Sequence, residues 1–403
     1  MKQKLKEYKG ITLVALIITI IVLLILAVVA ISVVNGNGIL NHASNARDQY
    51  SDAQKNEQTI LDGYLEYLDE SQLASKKVKD NLNKVLSTSG NLTLEDDFGN
   101  KIKVPAGFKI LVDDTTGYTA DDIDVTKGIV IEDTQAETVG NQFVWIPVGK
   151  IYTDAEKTEA NAKTITLGRY VFKSDGTIDE GLLQSTPEGQ LKENSSAPKY
   201  YTEGKKNEAT TNAHAKDIEG FINKTNANGG YYIGRYEARA GTTERKSKTD
   251  DLTPVTLKAN DYVYNYVTQL QASERCQSMY TNKPYESDLV NSYAWDTAIV
   301  FIQEFENSTY SQTRGKALNY VISKTGLSIL SATKAVDKQC NIYDMAGNCF
   351  EWSTESSFPL TDGCSCTTRG GSYPYGAVYT SARGSFGTAN AGDDNSFRPV
   401  LYM

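Results

Sequence analysis

Hydrophobic positions fall into three regimes along this chain. From Ile11 to Val34 the sequence is apolar with only Thr12, Thr19 and Ser32 interrupting, a run long enough to cross a bilayer as a helix. Lys2, Lys4, Lys6 and Lys9 precede it, which places residues 1–10 in the cytoplasm and everything after Asn35 outside. The Asn35-Gly-Asn-Gly38 break follows. Ala43, Ala46, Tyr50 and Ala53, then Ile60, Leu61, Tyr64, Leu65 and Leu68, next recur at helical spacing and predict an amphipathic stalk over 35–88. Past the Gly90-Asn-Leu-Thr93 segment the pattern changes to short strands. These include Gln142–Val148 and Gly229–Arg239, with helices expected over Ala272–Met279, Cys276 inward, and from Leu289, N-capped by Ser287. Residues 155–213 show no sustained apolar period and read as a polar surface insertion.

The last sixty residues are the most patterned. They contain Tyr343-Asp-Met-Ala-Gly-Asn-Cys-Phe-Glu-Trp352, Arg369-Gly-Gly-Ser-Tyr373 and Ser396-Phe-Arg-Pro-Val400. Phe350 and Trp352 alternate with Glu351, as in a short strand, Gly347 marks a turn, and Gly370 and Gly371 mark a bulge or a tight crossing. All three tryptophans (Trp145, Trp295, Trp352) fall inside patterned segments, as core anchors would.

These three blocks in order resemble the closing core of the formylglycine-generating enzyme (sulfatase-modifying factor) family, and the segments at 142, 229 and 289 resemble its upstream elements. The resemblance covers roughly 96–403. It implies an α+β chain: an N-terminal transmembrane and stalk helix, then a C-type-lectin-like head over 89–403. It also implies what is missing. Catalytic members carry a cysteine pair between the second and third blocks, and residues 374–395 contain none. The related iron-dependent sulfoxide synthases use three histidines, whereas this chain has only His42 and His214. The expectation is a non-catalytic binding module needing neither copper nor iron. The alternatives are an oxidoreductase of the same family with a rearranged site using Cys276, Cys349 or Cys366, and a purely structural subunit. The family also implies a calcium turn, with the Asp344 and Glu351 side chains and the Gly347 and Cys349 carbonyls as ligands. Without the ion, Asp344 would cap the turn and Glu351 would pair with an arginine such as Arg369.

The segment Gly10-Ile-Thr-Leu-Val-Ala15 resembles the prepilin peptidase site of type IV pilins and pseudopilins, which implies cleavage between Gly10 and Ile11. The family's glutamate at the fifth mature position is here Ala15. Two readings stay open: a minor or tip subunit among pilin-like partners, and a simple membrane anchor.

Composition narrows the partners. A net charge of −9 without a basic cluster excludes nucleic acid as a natural partner. Tyrosine, at 25 against 11 phenylalanines, suits a recognition surface. Candidate contacts are Tyr373, Tyr375, Tyr379, Arg383, Asn390, Asp393, Asp394 and Asn395, in a Gly- and Ser-rich stretch between two core anchors. The ligand, protein or glycan, would lie outside a bacterial cell. Of the five cysteines, Cys364 and Cys366 are too close for an easy mutual disulfide, which points to Cys340 or Cys349 as a partner.

Overall fold

The computed structural model describes residues 13–35, 76–82, 90–179, 191–192, 200–203, 213–314, 337–358, 364–373, 375 and 378–403. The chain divides into two units, Met1–Leu68 and Asp69–Met403. In the first, one helix spans Leu13–Asn35. Its side chains are described over 16–27, and all of these are exposed. Among the described residues no helix is long and apolar enough to cross a membrane. Gly10, Ile11 and nearly all of the expected stalk lie outside the described residues.

The second unit is mixed α/β and mostly sheet. Its first sheet is antiparallel, in the order Glu286–Leu289, Pro399–Tyr402, Gly230–Gly234, Gln142–Pro147, Val130–Asp133, Phe108–Ile110. Successive side chains alternate between two faces, and here both faces are covered. Phe143, Trp145, Tyr232 and Leu401 pack with Leu92, Ile102 and Phe108, while Val144, Ile146, Tyr231, Ile233 and Val400 pack with Trp295, Ile299 and Phe221. Double coverage is why these strands read as continuous apolar runs rather than alternating ones. Gly230 is required by proximity: a Cβ there would lie 2.4 Å from the Trp145 ring.

Helices Ile218–Asn228 and Ser292–Phe305 supply the second of those faces. The latter is capped by Asn291, whose Oδ1 accepts from the Ala294 amide at 2.9 Å. Ser287 is therefore not the cap. It lies inside the strand Glu286–Leu289, and its hydroxyl donates to the Cys276 carbonyl at 2.7 Å. The helix expected over Ala272–Met279 starts earlier, at Gln269, because Thr268 and Gln271 close a capping box ahead of it.

The second sheet runs Arg383–Gly387, Cys364–Arg369, Phe350–Phe358, Tyr200–Thr202, Leu191–Lys192, and Asn395–Phe397 pairs in parallel with the start of the long strand. The expected surface insertion thus contributes two of its strands. It also sends Arg169 and Tyr201 into the interior, each fully buried. Local composition hid this because the neutralising partners of Arg169 lie far away in sequence. Cys276, Cys340 and Cys349 are free, buried thiols, so neither Cys340 nor Cys349 is the expected disulfide partner. Cys366 is buried beside Trp352 and Phe397.

Candidate functional site

Two buried ionic centres hold the frame of the second sheet. In the first, Arg398 grips Glu351 with a two-pronged contact, Nε to Oε2 at 2.9 Å and Nη2 to Oε1 at 2.5 Å. Its remaining donors reach the carbonyls of Gly234 and Tyr343, each at 2.8 Å. Arg369 is directly across the strand pair from Glu351, yet it is Arg398 that takes the carboxylate. The turn 344–349 is held by other acids. Glu237 accepts from the Cys349 amide at 3.0 Å and from the Asn348 side chain. Asp337 accepts from the Ala346 amide at 2.8 Å and from the Tyr310 hydroxyl at 2.5 Å. Asp344 is buried in the left-handed region at φ 60°, and its amide donates to the Asp337 carbonyl at 3.0 Å. Burial, with Glu351 and Asp344 adding to it, drives the Glu237 carboxyl well above the usual carboxylate range.

The second centre gathers three arginines. Arg169 donates to Glu355 at 2.8 Å, and Arg383 donates to Glu355 at 2.9 Å and to Asp296 at 2.5 Å. Arg369 also donates to Asp296. Glu203 sits at its edge, accepting from the Ser292 amide and, at 2.7 Å, from the Thr354 hydroxyl. Burial and the neighbouring Glu355 raise its pKa to about 7.

These centres anchor the expected contact segment and also remove members from it. Arg383 is a buried ion-pair residue, and Asn395 is buried in a strand, its Oδ1 accepting from the Gly392 amide at 3.1 Å. Arg383 reads as surface until its remote carboxylates are known, and Asn395 until its strand is paired with Phe350. Gly370, φ +69°, lets the chain cross the 345 turn; a Cβ there would lie 2.7 Å from the Met345 carbonyl oxygen. That crossing brings Tyr375 to the surface, whereas Tyr373, expected as a contact, is buried against Val263 and Cys349.

Tyr375 is 59% exposed, and its ring stacks on Phe350 at 5.8 Å and 29°. Phe350 in turn meets Phe386 at 5.7 Å, and Phe386 meets Trp352 at 5.9 Å, so the outermost ring stands on a ladder rooted in the core. The residues just before it bind two carboxylates. Tyr373 donates its hydroxyl to Asp393 at 2.9 Å, and Ser372 donates to Asp394 at 3.0 Å. Burial, followed by the proximity of Asp393, raises the Tyr373 pKa far above the ordinary phenol value. Burial also raises Asp394. Asn265 braces Asp393 by donating to its carbonyl at 2.9 Å. Tyr379 belongs to a separate pair, with the Arg314 guanidinium 4.6 Å from its ring centroid and 2.5 Å from its hydroxyl. Asn390 closes the turn after Arg383–Gly387 through its amide at 3.0 Å. Sequence reasoning missed Phe350 and Phe386 as the platform, because core aromatics and platform aromatics share one alternation pattern.

The expected calcium ligands do not form a fitting set. Both Glu351 oxygens are occupied by a guanidinium, and a dication at the turn would face Arg398 directly. Among the described residues no group of three or more His, Cys, Asp or Glu is arranged to hold a metal ion.

No protein-family model matches the sequence, and no curated protein does. Three solved structures are similar at low identity. The crystal structure of CarF is 15% identical, covering 43% of this chain and 87% of its own, at a TM-score of 0.30. The variable protein 1 of Treponema denticola is 12% identical, covering 66% and 96%, at 0.33. PvdO from Pseudomonas aeruginosa is 11% identical, covering 55% and 100%, at 0.31.

Proposed function

We propose that this chain is a non-catalytic, ligand-binding bacterial surface protein whose head has a C-type-lectin-like, formylglycine-generating-enzyme-like fold. The observation that carries the reading is Tyr375. A large aromatic ring stands mostly in solvent, yet it is held in place by stacking on Phe350. Fixing a ring before contact removes ordering cost from binding, which is how rigid aromatic anchors act at recognition surfaces. The thiols of the enzymatic alternative are poorly suited to nucleophilic work. Burial raises both Cys276 and Cys349 well above ordinary thiol values, away from the thiolate. The apolar run Ile11–Val34 supports a single-pass anchor with the head outside the cell. Assembly with pilin-like subunits is the second form of that anchor, supported by the peptidase-like Gly10-Ile11 junction.

The test uses the full chain in detergent on arrays of glycans and of surface-protein peptides, followed by affinity measurement for any hit. Tyr375→Ala should weaken binding by about 1–2 kcal/mol, a factor of roughly 5–30, with unfolding unchanged. A parallel oxygen-consumption assay with copper and a cysteine peptide should show no turnover. Turnover lost on substitution of Cys276, Cys349 and Cys366 would overturn the reading in favour of an oxidase.

A further inference from the structure

A cavity of about 320 Å³ lies where residues 137–141, the segment 254–258 and the end of helix Gln269–Ser278 meet. That volume is within the range of small-molecule sites, about 300–1,000 Å³. The segment 254–258 is fixed beside the sheet: the Leu257 amide donates to Asn141 Oδ1 at 2.9 Å, and the Gln142 amide donates to the Leu257 carbonyl at 3.1 Å. Asn141 is 1% exposed and lines the cavity. The nearby Tyr280 hydroxyl could take one of its two Nδ2 hydrogens; that hydroxyl itself donates to Asp133 at 2.7 Å. No protein acceptor among the described residues takes the other. Arg275, on the facing helix, also lines the cavity and has a buried Nε without an acceptor.

Buried N–H hydrogens left over in this way are costly unless something supplies oxygen. Lys258 adds a second cation to the lining, Glu137 is the one acid in it, and Pro254, Val255 and Met279 give an apolar wall. We infer that this cavity is a binding site for a small organic carboxylate, its oxygens meeting Asn141 Nδ2 and the Arg275 guanidinium and its hydrocarbon body lying on the apolar wall. The assignment does not depend on the Tyr375 face.

The experiment titrates butyrate into the full chain by calorimetry and saturation-transfer NMR, with butyramide, butylammonium and inorganic phosphate as comparisons. Asn141→Asp keeps the acceptor for the Leu257 amide and removes the free donor. Arg275→Gln and Lys258→Gln remove charge at less buried positions and keep the test open if the first variant does not fold. Saturable butyrate binding is expected, about tenfold or more weaker for butyramide and for each of the Asn141 and Arg275 variants, as loss of a charge-assisted hydrogen bond implies. Lys258→Gln should weaken it less. No saturation at tens of millimolar, a level at which even millimolar affinity is visible, would overturn the assignment. So would phosphate or butylammonium binding as well as butyrate, or affinity indifferent to the Asn141 and Arg275 changes.

Discussion

Replacing Glu203 with Gln should make this protein more stable at pH 8 while changing little at pH 5. The Glu203 pKa is raised from the ordinary 4.5 to about 7, first by burial and then by Glu355. Between those values the folded state holds more protons than the unfolded one, so stability falls as pH rises through this window, and the penalty is complete above 7. At 1.36 kcal/mol per unit it amounts to about 3 kcal/mol. Glutamine fits the existing contacts: its oxygen can accept from the Ser292 amide, and its NH₂ can meet the Thr354 hydroxyl. Urea unfolding of wild type and variant at both pH values is the assay. The variant's stability relative to wild type should rise by about 2–3 kcal/mol from pH 5 to pH 8. Asp288 and Asp337, each with a pKa raised to about 6, titrate in the same direction, but in both proteins, and cancel in the comparison. Parallel pH profiles would refute the reasoning. A variant that loses ground at pH 8 would show Glu203 ionised in the fold and paired with Arg169.

Breaking the Glu351 pair is a separate matter. Arg398→Met should cost about 3–5 kcal/mol in urea unfolding by leaving a buried carboxylate unpaired, and adding Glu351→Gln should recover part of that. Millimolar Ca²⁺ should leave the unfolding midpoint of the full chain unchanged. A gain near the about 2.7 kcal/mol expected at a hundred times the dissociation constant, lost in Asp344→Ala, would reinstate the calcium turn. If the peptidase-like junction is used, mass spectrometry of the protein from cells that possess the peptidase should find Ile11 at the N-terminus, with Gly10→Leu left intact. An uncut Met1 would favour the simple anchor.

The parts of the head legible in advance are those whose signal is local. Trp145, Trp295 and Trp352 are fully buried, and Gln142–Pro147 ends one residue short of the strand expected there. The strand at 230 stops at Gly234, earlier than the apolar-looking run to Arg239, because Arg235, Glu237 and Arg239 are buried charges whose partners come from elsewhere. Charge placement was the illegible part. Arg383 reads as a surface contact until Asp296 and Glu355 are brought beside it, 87 and 28 residues away in sequence. Arg169 inside a polar insertion is the same case, 186 residues from Glu355. Of the expected contact segment, Tyr375 is exposed, while Tyr373 is buried and donates its hydroxyl to Asp393. What supports Tyr375 is the buried Phe350 beneath it, a role a periodicity argument has no means to distinguish from ordinary core packing.

The strand Pro399–Tyr402 is inserted between Glu286–Leu289 and Gly230–Gly234 rather than added at an edge. A ribosome makes residue 402 more than 110 residues after the nearer of these neighbours. Until it arrives, the strands at 230 and 286 present unpaired edges to one another across an empty slot. The second unit must therefore wait in an open, sticky form during synthesis, and close only when nearly the whole chain has emerged. The strand Asn395–Phe397 just upstream, which pairs in parallel with Phe350–Trp352, takes its place in the same late step.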